Sequence, residues 1–346
     1  MPIDVTKEGR QSMHVYDVMV VGAGPSGLAA AIAAKQCGLD YKVLEQGLLV
    51  NSIFHFPVNM RFFTTPELLE IGGLPFVTPY DKPTRQEALR YYRRVTDSYQ
   101  LDIELGESVV DLKSPEATSR NEFTVETQSE GKGKRQFYSR TVVLALGCYD
   151  YPNRLSIPGE DLPHVSHYYS EPHAYYRKQV IVVGGKNSAA EAALELFRAG
   201  ARVTLVHRRG ELGQSIKYWV RPDILNRITE GSITGCFEAQ VVEIRVGEIV
   251  IETPGKLHTL PADAVFLLTG YRTDTSLMSQ AGVRIAPDTY IPEHDPATFE
   301  TNVDGLYIIG TAITGIHSGR IFIENGRFHG QVAIKQILKR FNRKKN

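Results

Sequence analysis

The chain has 346 residues, 42% hydrophobic and 23% charged, a globular balance that excludes a disordered chain and predicts about two domains at roughly 100–200 residues each. Lys+Arg and Asp+Glu both number 39, so no net charge draws the molecule to nucleic acid or to an anionic membrane surface. Three widely spaced cysteines form neither a disulfide framework nor a zinc spacing, and no metal site is expected.

Met1 to His14 is polar and lacks the apolar core of a secretory signal. The first predicted unit follows at once. Val15 to Val21 is a short apolar run suited to a buried parallel strand, and Leu28 to Cys37 is an alanine-rich helix stopped by Gly38. Tyr41 to Glu45 is the next strand. The apolar stretch Val18 to Ala34 is broken by Gly22, Gly24, Pro25 and Gly27, so it is not a membrane span. A cytoplasmic protein is the expectation.

The turn inside this unit is Gly22-Ala23-Gly24-Pro25-Ser26-Gly27. A pyrophosphate needs backbone N–H groups at a helix N-terminus with no side chain in the way. Gly22 makes the tight turn, Gly24 lets phosphate approach, and Gly27 lets helix and strand pack closely. Glu45 follows Gly27 by 18 residues, where a carboxylate accepts hydrogen bonds from the ribose hydroxyls. Ser26 at the helix start either bonds phosphate or caps the helix.

Further along, Phe123 to Thr127 alternates as a strand, Gly131 to Lys134 is a polar turn, and Thr141 to Ala145 is a buried strand leading to Gly147. Asp150 to Pro163, rich in Pro, Gly and Asp, reads as a linker. The grammar of the first unit then recurs. Gln179 to Val183 is a strand, Ala190 to Ala199 a helix stopped by Gly200, and Ala201 to His207 a strand. The second turn is Gly184-Gly185-Lys186-Asn187-Ser188-Ala189. Lys186 stands at the middle glycine position, either as a phosphate partner or facing solvent, and Ala189 fills the third. The strand ends in His207-Arg208-Arg209, where an NAD site carries an acid. Arginine forks bind a 2′-phosphate bidentately, so NADPH is expected rather than NADH; the alternative is that the arginines only solvate the strand end.

Ala264 to Thr269 is a strand ending in Gly270, Leu306 to Ile309 another ending in Gly310, and Gly326 to Leu338 a closing helix. The basic end, Lys339 to Lys345, is expected as a solvated helix tail. The fold class is therefore α/β, with two Rossmann-like dinucleotide-binding domains, the NADPH domain inserted into a discontinuous first domain. The expected boundaries are 1–160, 161–275 and 276–346.

The segments NSIFHFPVNMRFFTTPELLEIGGLPF, VVGGKNSAAEAALELFRAGARVTLVHRR and IFIENGRFHG closely resemble the YpdA-type bacillithiol disulfide reductases, among the thioredoxin-reductase-like flavoproteins. The resemblance runs from about Tyr16 to Leu338. It implies FAD and NADPH as cofactors and a small-molecule disulfide, or a small redox protein, as acceptor. It implies an FAD site of Gly22, Gly24, Pro25, Ser26, Gly27, Glu45, Gln46, Thr64, Thr65, Val109, Gly147, Gly310 and Thr311. It implies an NADPH site of Gly184, Gly185, Lys186, Asn187, Ser188, Ala189, His207, Arg208, Arg209 and Gly270. A homodimer is common among such proteins.

Three departures stand out. The family's single first-turn cysteine is Ser26 here, and a serine forms no mixed disulfide. No Cys-x-x-Cys pair exists, which excludes thioredoxin reduction by that route. Thr311 stands where many relatives carry an aspartate. Candidate catalytic residues are Ser26, Cys148 and His329, each with a plainer structural reading. Glu324 is a further proton-handling candidate. Lys217, Tyr218 and Trp219 either line a substrate opening or cover the second domain, and Cys37 and Cys236 are expected to be structural. Two other readings are electron transfer to a protein acceptor, as in ferredoxin–NADP reductases, and an NADPH-sensing flavoprotein without catalysis.

Overall fold

A computed structural model describes residues 14–117, 121–317 and 319–343. The polar segment before His14 and the last two basic residues, Lys344 and Lys345, lie outside the described residues.

The first sheet is built on β1 (Val15–Val21), which lies parallel to both β2 (Tyr41–Glu45) and β6 (Gly133–Leu144). Beyond β2 stands β3 (Ile103–Leu105); beyond β6 stand β5 (Phe123–Ser129) and β4 (Ser108–Lys113), both antiparallel. A much later strand, β15 (Leu306–Ile308), pairs parallel to β6 and returns the chain to this sheet. The strands between them form a second, all-parallel sheet in the order β10-β9-β8-β14-β7: β7 (Val165–Ser166), β8 (Gln179–Val183), β9 (Arg202–Val206), β10 (Thr234–Cys236) and β14 (Ala264–Leu267). The inserted two-domain α/β architecture follows from this membership.

Helix α1 (Pro25–Gln36) is buried all round from Gly27 to Ala34, which explains its alanine content and its lack of a polar face. Its other neighbour is the closing helix, and Gly330 meets Ala30 there without a side chain between the backbones. The closing helix differs from expectation. It begins at His329 and runs to Arg343, after a separate turn at Ile323–Gly326.

Among the elements that were not expected, two shape the domains most. A 15-residue helix, Arg85–Tyr99, buries Ala88, Tyr91, Tyr92 and Val95 and starts with a full capping box, Thr84 Oγ1 accepting from Glu87 N while Glu87 Oε2 accepts from Thr84 N. A three-stranded antiparallel sheet, β11 (Gln240–Arg245), β12 (Glu248–Thr253) and β13 (Lys256–Pro261), packs Val241, Ile244, Ile249 and Ile251 on one face of the second sheet. The expected turn at 131–134 also shifts: strand β6 already starts at Gly133 and is continuous through Thr141.

The stretch expected as a linker at 150–163 is not free of the core. Leu155, Ile157 and Leu162 pack into the core of the second domain, and Pro158 O accepts from Ile244 N. Pro152 bridges Tyr271 on the returning segment; Asn153 N donates to Gly270 O and Arg272 N to Tyr151 O, both at 2.9 Å. The rings of Tyr149, Tyr168 and Tyr271 cluster at this pairing of segments. Among the described residues no helix is long and apolar enough to cross a membrane.

Candidate functional site

The first phosphate turn is shaped by close approach. Gly22 has φ +106°, and a Cβ there would strike the Ala145 carbonyl; a Cβ on Gly27 would strike the Gly22 carbonyl. Gly24, the N-cap of α1, has nothing within 4 Å of its Cβ position, so the face a phosphate would occupy is open. That opening lies at the positive end of the α1 dipole. Glu45 sits beneath it, with Oε2 accepting from Ala23 N at 2.7 Å and Oε1 from Gly47 N at 2.9 Å. Burial pushes its pKa up, against the pull of those two bonds. Each oxygen keeps a lone pair for a ribose hydroxyl.

Ser26 Oγ donates to Gly326 O at 3.2 Å, and Gly310 (φ +69°) packs against the same hydroxyl. The hydroxyl therefore ties three segments together: the first turn, the end of β15 and the turn at 323–326. His329 lies under this knot and does not line the cleft. Its Nδ1 accepts from Gly310 N at 3.3 Å, its ring stacks on Phe299 at 4.2 Å, and burial pushes its pKa down to about 4. Its ring supports a backbone turn at Gly310.

The second turn is built alike. Gly184 (φ +153°) would place a Cβ 2.6 Å from Leu268 O and 2.8 Å from the Ala189 Cβ, so Ala189 fits only because Gly184 has none. Gly185 is covered by the His207 ring, whose pKa is lowered by burial and then by Arg209 and Arg208. Lys186, Ser188, His207, Arg208 and Gly270 line the cleft. Asn187 lines it too, but its side chain is engaged: Nδ2 donates to Ser215 O at 3.0 Å and Oδ1 accepts from Lys217 N at 2.8 Å. Arg209 does not line the cleft, and Ala189 is buried behind the turn.

Both turns open into one cleft of about 1850 Å³, larger than the roughly 300–1,000 Å³ of a single small-ligand site. Gln46, Val109, Gly147, Thr311, Lys217 and Glu324 also line it. Thr64 and Thr65 do not; Phe62 and Phe63 take that place, while Thr64 is buried and Thr65 precedes a short turn at Pro66–Leu68. Tyr218 and Trp219 stay outside the lining as well. Residues missed in the sequence include Asn51, Ser52, Phe56 and Met60, all within the segment NSIFHFPVNM, whose mixed polarity carries no period.

Cys148 lines the cleft, but burial pushes its thiol pKa up, only partly opposed by a hydrogen bond with Thr311. A thiol raised in this way is a weak nucleophile at neutral pH. Cys37 is the exposed C-cap of α1 rather than part of the helix, and Cys236 ends β10. Among the described residues no group of three or more His, Cys, Asp or Glu is placed to hold a metal ion.

Comparison with known proteins fits this geometry. Residues 19–310 match the family described as pyridine nucleotide-disulphide oxidoreductase. The chain is 42% identical over 325 residues to the bacilliredoxin reductase Bdr of Bacillus subtilis (strain 168), covering 94% of this chain and 98% of that one. Among solved structures, the bacillithiol disulfide reductase Bdr (YpdA) from Bacillus cereus superposes with a TM-score of 0.91 at 38% identity, covering 94% of this chain and 100% of that one. The Staphylococcus aureus protein of the same name gives 0.89 at 36%, covering 95% and 99%.

Proposed function

The chain belongs to the pyridine nucleotide-disulphide oxidoreductase family, and from that premise we propose that it is an FAD-dependent enzyme that uses NADPH to reduce a small disulfide of the bacillithiol type. The observation that carries this reading is the single cleft shared by two phosphate turns, one with Glu45 beneath it and one with Arg208 beside it. In the reading, Gly22, Gly24 and Gly27 shape the first cradle, the α1 N-terminus holds the pyrophosphate of FAD, and Glu45 takes its ribose. Gly184, Gly185 and Ser188 hold the pyrophosphate of NADPH, and Arg208 its 2′-phosphate. FAD bound there would supply the two-electron chemistry between NADPH and the disulfide. Per turnover one NADPH and one proton from solvent become NADP⁺, and one S–S bond becomes two thiols.

Ser26 and the raised Cys148 thiol support a route in which no protein thiol in the cleft joins the substrate. The bacilliredoxin reductase of Bacillus subtilis favours a second reading, in which the acceptor is a small redox protein. We place the crossings between domains near Asn153 and near Gly270–Thr273, on the sheet membership and core packing described above. The cytoplasm is the compartment assigned, on the three free cysteines. The test is steady-state NADPH oxidation with bacillithiol disulfide added. The rate should rise above the oxygen-dependent background and persist in Cys148→Ser. A rate that stays at background rejects the small-disulfide reading.

A further inference from the structure

At the junction between the two domains lies a buried cation, Lys217, only 6% exposed. It lies in the loop between β9 and the helix at Arg221–Thr229 of the second domain. Its backbone N–H donates to Asn187 Oδ1 at 2.8 Å, and Asn187 is the first residue of the helix that opens from the second phosphate turn. Its Nζ reaches the other way, donating to the Arg61 carbonyl of the first domain at 3.0 Å, and pairs with Glu191 at 2.7 Å. Two consecutive bonds thus run from the second cradle, through one side chain, to the backbone of the first domain.

The neighbouring residues reinforce the contact. Trp219 stacks on Phe63 of the first domain, ring centroids 5.7 Å apart and planes 27° apart. Lys82 Nζ lies 5.8 Å and 5.5 Å from the Phe63 and Trp219 rings and donates to Phe63 O at 2.7 Å. An ammonium costs several kcal/mol to desolvate unless paired, so a lysine stands here because Glu191 and the Arg61 carbonyl both meet it. The crossing at Pro152 and Tyr271 joins the domains through backbone bonds, the tyrosine rings and the Thr269 and Thr273 hydroxyls; Lys217 is a separate tether away from that crossing.

We infer that Lys217 is a positioning residue for the reduction of bound FAD by NADPH: it registers the NADPH cradle on the FAD domain so that both face one cleft. The inference rests on the cofactor reading above and is independent of which acceptor the enzyme serves. Hydride transfer needs reacting atoms held at about 3–3.5 Å, and a misplacement of about 1 Å costs on the order of 100-fold in rate. A tether whose loss lets one cradle drift should therefore act on the transfer rate more than on the affinity for either cofactor.

The test uses the FAD-loaded enzyme, mixed rapidly and anaerobically with NADPH. Lys217→Met keeps the apolar stem and removes the ammonium; Lys217→Met with Glu191→Gln also avoids leaving a partly buried acid unpaired. In both, the limiting rate of flavin bleaching should fall about 10- to 100-fold. FAD content, NADP⁺ affinity and bleaching by dithionite should stay within about twofold, and Lys217→Arg should recover to within about fivefold of the native rate. If the single variant loses FAD, the double variant decides. A native limiting rate in the double variant, or a loss carried wholly by weaker NADP⁺ binding, overturns the inference. A native protein that NADPH does not bleach would instead overturn the reading of the two cradles.

Discussion

Arg208→Ala should convert a strong preference for NADPH into a weak one. Arg208 lines the cleft beside the second turn, and among the described residues it forms no ion pair. Its removal therefore breaks no internal ion pair and orphans no acid, and unfolding stability should change by less than about 0.5 kcal/mol. What is lost is a charge-assisted fork to the 2′-phosphate, worth roughly 1.5–3 kcal/mol, or about 10- to 150-fold in kcat/KM for NADPH. NADH lacks that phosphate, so its kcat/KM should stay within about twofold of native. Arg209 lies off the cleft, and Arg209→Ala should cost NADPH less than about fivefold, a through-space effect that salt screens. The assay is flavin reduction by each nucleotide at one fixed, low ionic strength. Equal losses for NADPH and NADH, or a larger loss from Arg209→Ala, would refute the reasoning.

Two further outcomes follow from the packing. Gly27→Ala drives a Cβ into the Gly22 carbonyl, an overpacking that costs about 1–3 kcal/mol and opens the first turn; FAD affinity should drop at least about tenfold while NADP⁺ binding holds, and full FAD retention would contradict it. His329, with its pKa pushed down to about 4, stays neutral in the fold while the unfolded chain protonates below about 6.5. Its contribution is complete above about pH 6.5 and is lost as pH falls toward 4, so pH 5 should cost about 1–2 kcal/mol of urea-unfolding stability, after allowing for solvent screening. His329→Gln should lack that loss at a fixed FAD concentration; an unchanged pH slope would show that the shift lies elsewhere.

The glycine turns were legible because their signal is local. A tight turn, an open helix start and an acid at the next strand end are all written within about thirty residues. The same applies to the second unit, where the helix starts three residues earlier than its alanines suggest because Asn187 and Ser188 belong to its first turn. What stayed hidden was decided by packing at a distance. Leu155, Ile157 and Leu162 sit in a segment whose Pro and Gly content reads as linker, yet Ile244 and its neighbours bury them. His329 was ambiguous until Gly310 and Phe299 were seen against it. Asn187 matched a phosphate ligand by position, while its amide turned out to hold the loop that carries Lys217. Thr64 and Thr65 yielded to Phe62 and Phe63 because no period in that stretch says which side faces the cleft. The helix at Arg85–Tyr99 is the exception: Thr84 and Glu87 spell its capping box in the sequence, and the signal was local and simply unused.

The central claim, that electrons pass from NADPH through bound FAD to a small disulfide, is tested most directly without oxygen. One equivalent of NADPH should bleach the visible flavin band of the purified protein, and bacillithiol disulfide added afterwards should restore it within the time of a few turnovers, with two thiols appearing per flavin reoxidised. A band that bleaches and then stays bleached in the presence of the disulfide would contradict the account, leaving the two cofactor cradles in place and the acceptor wrong.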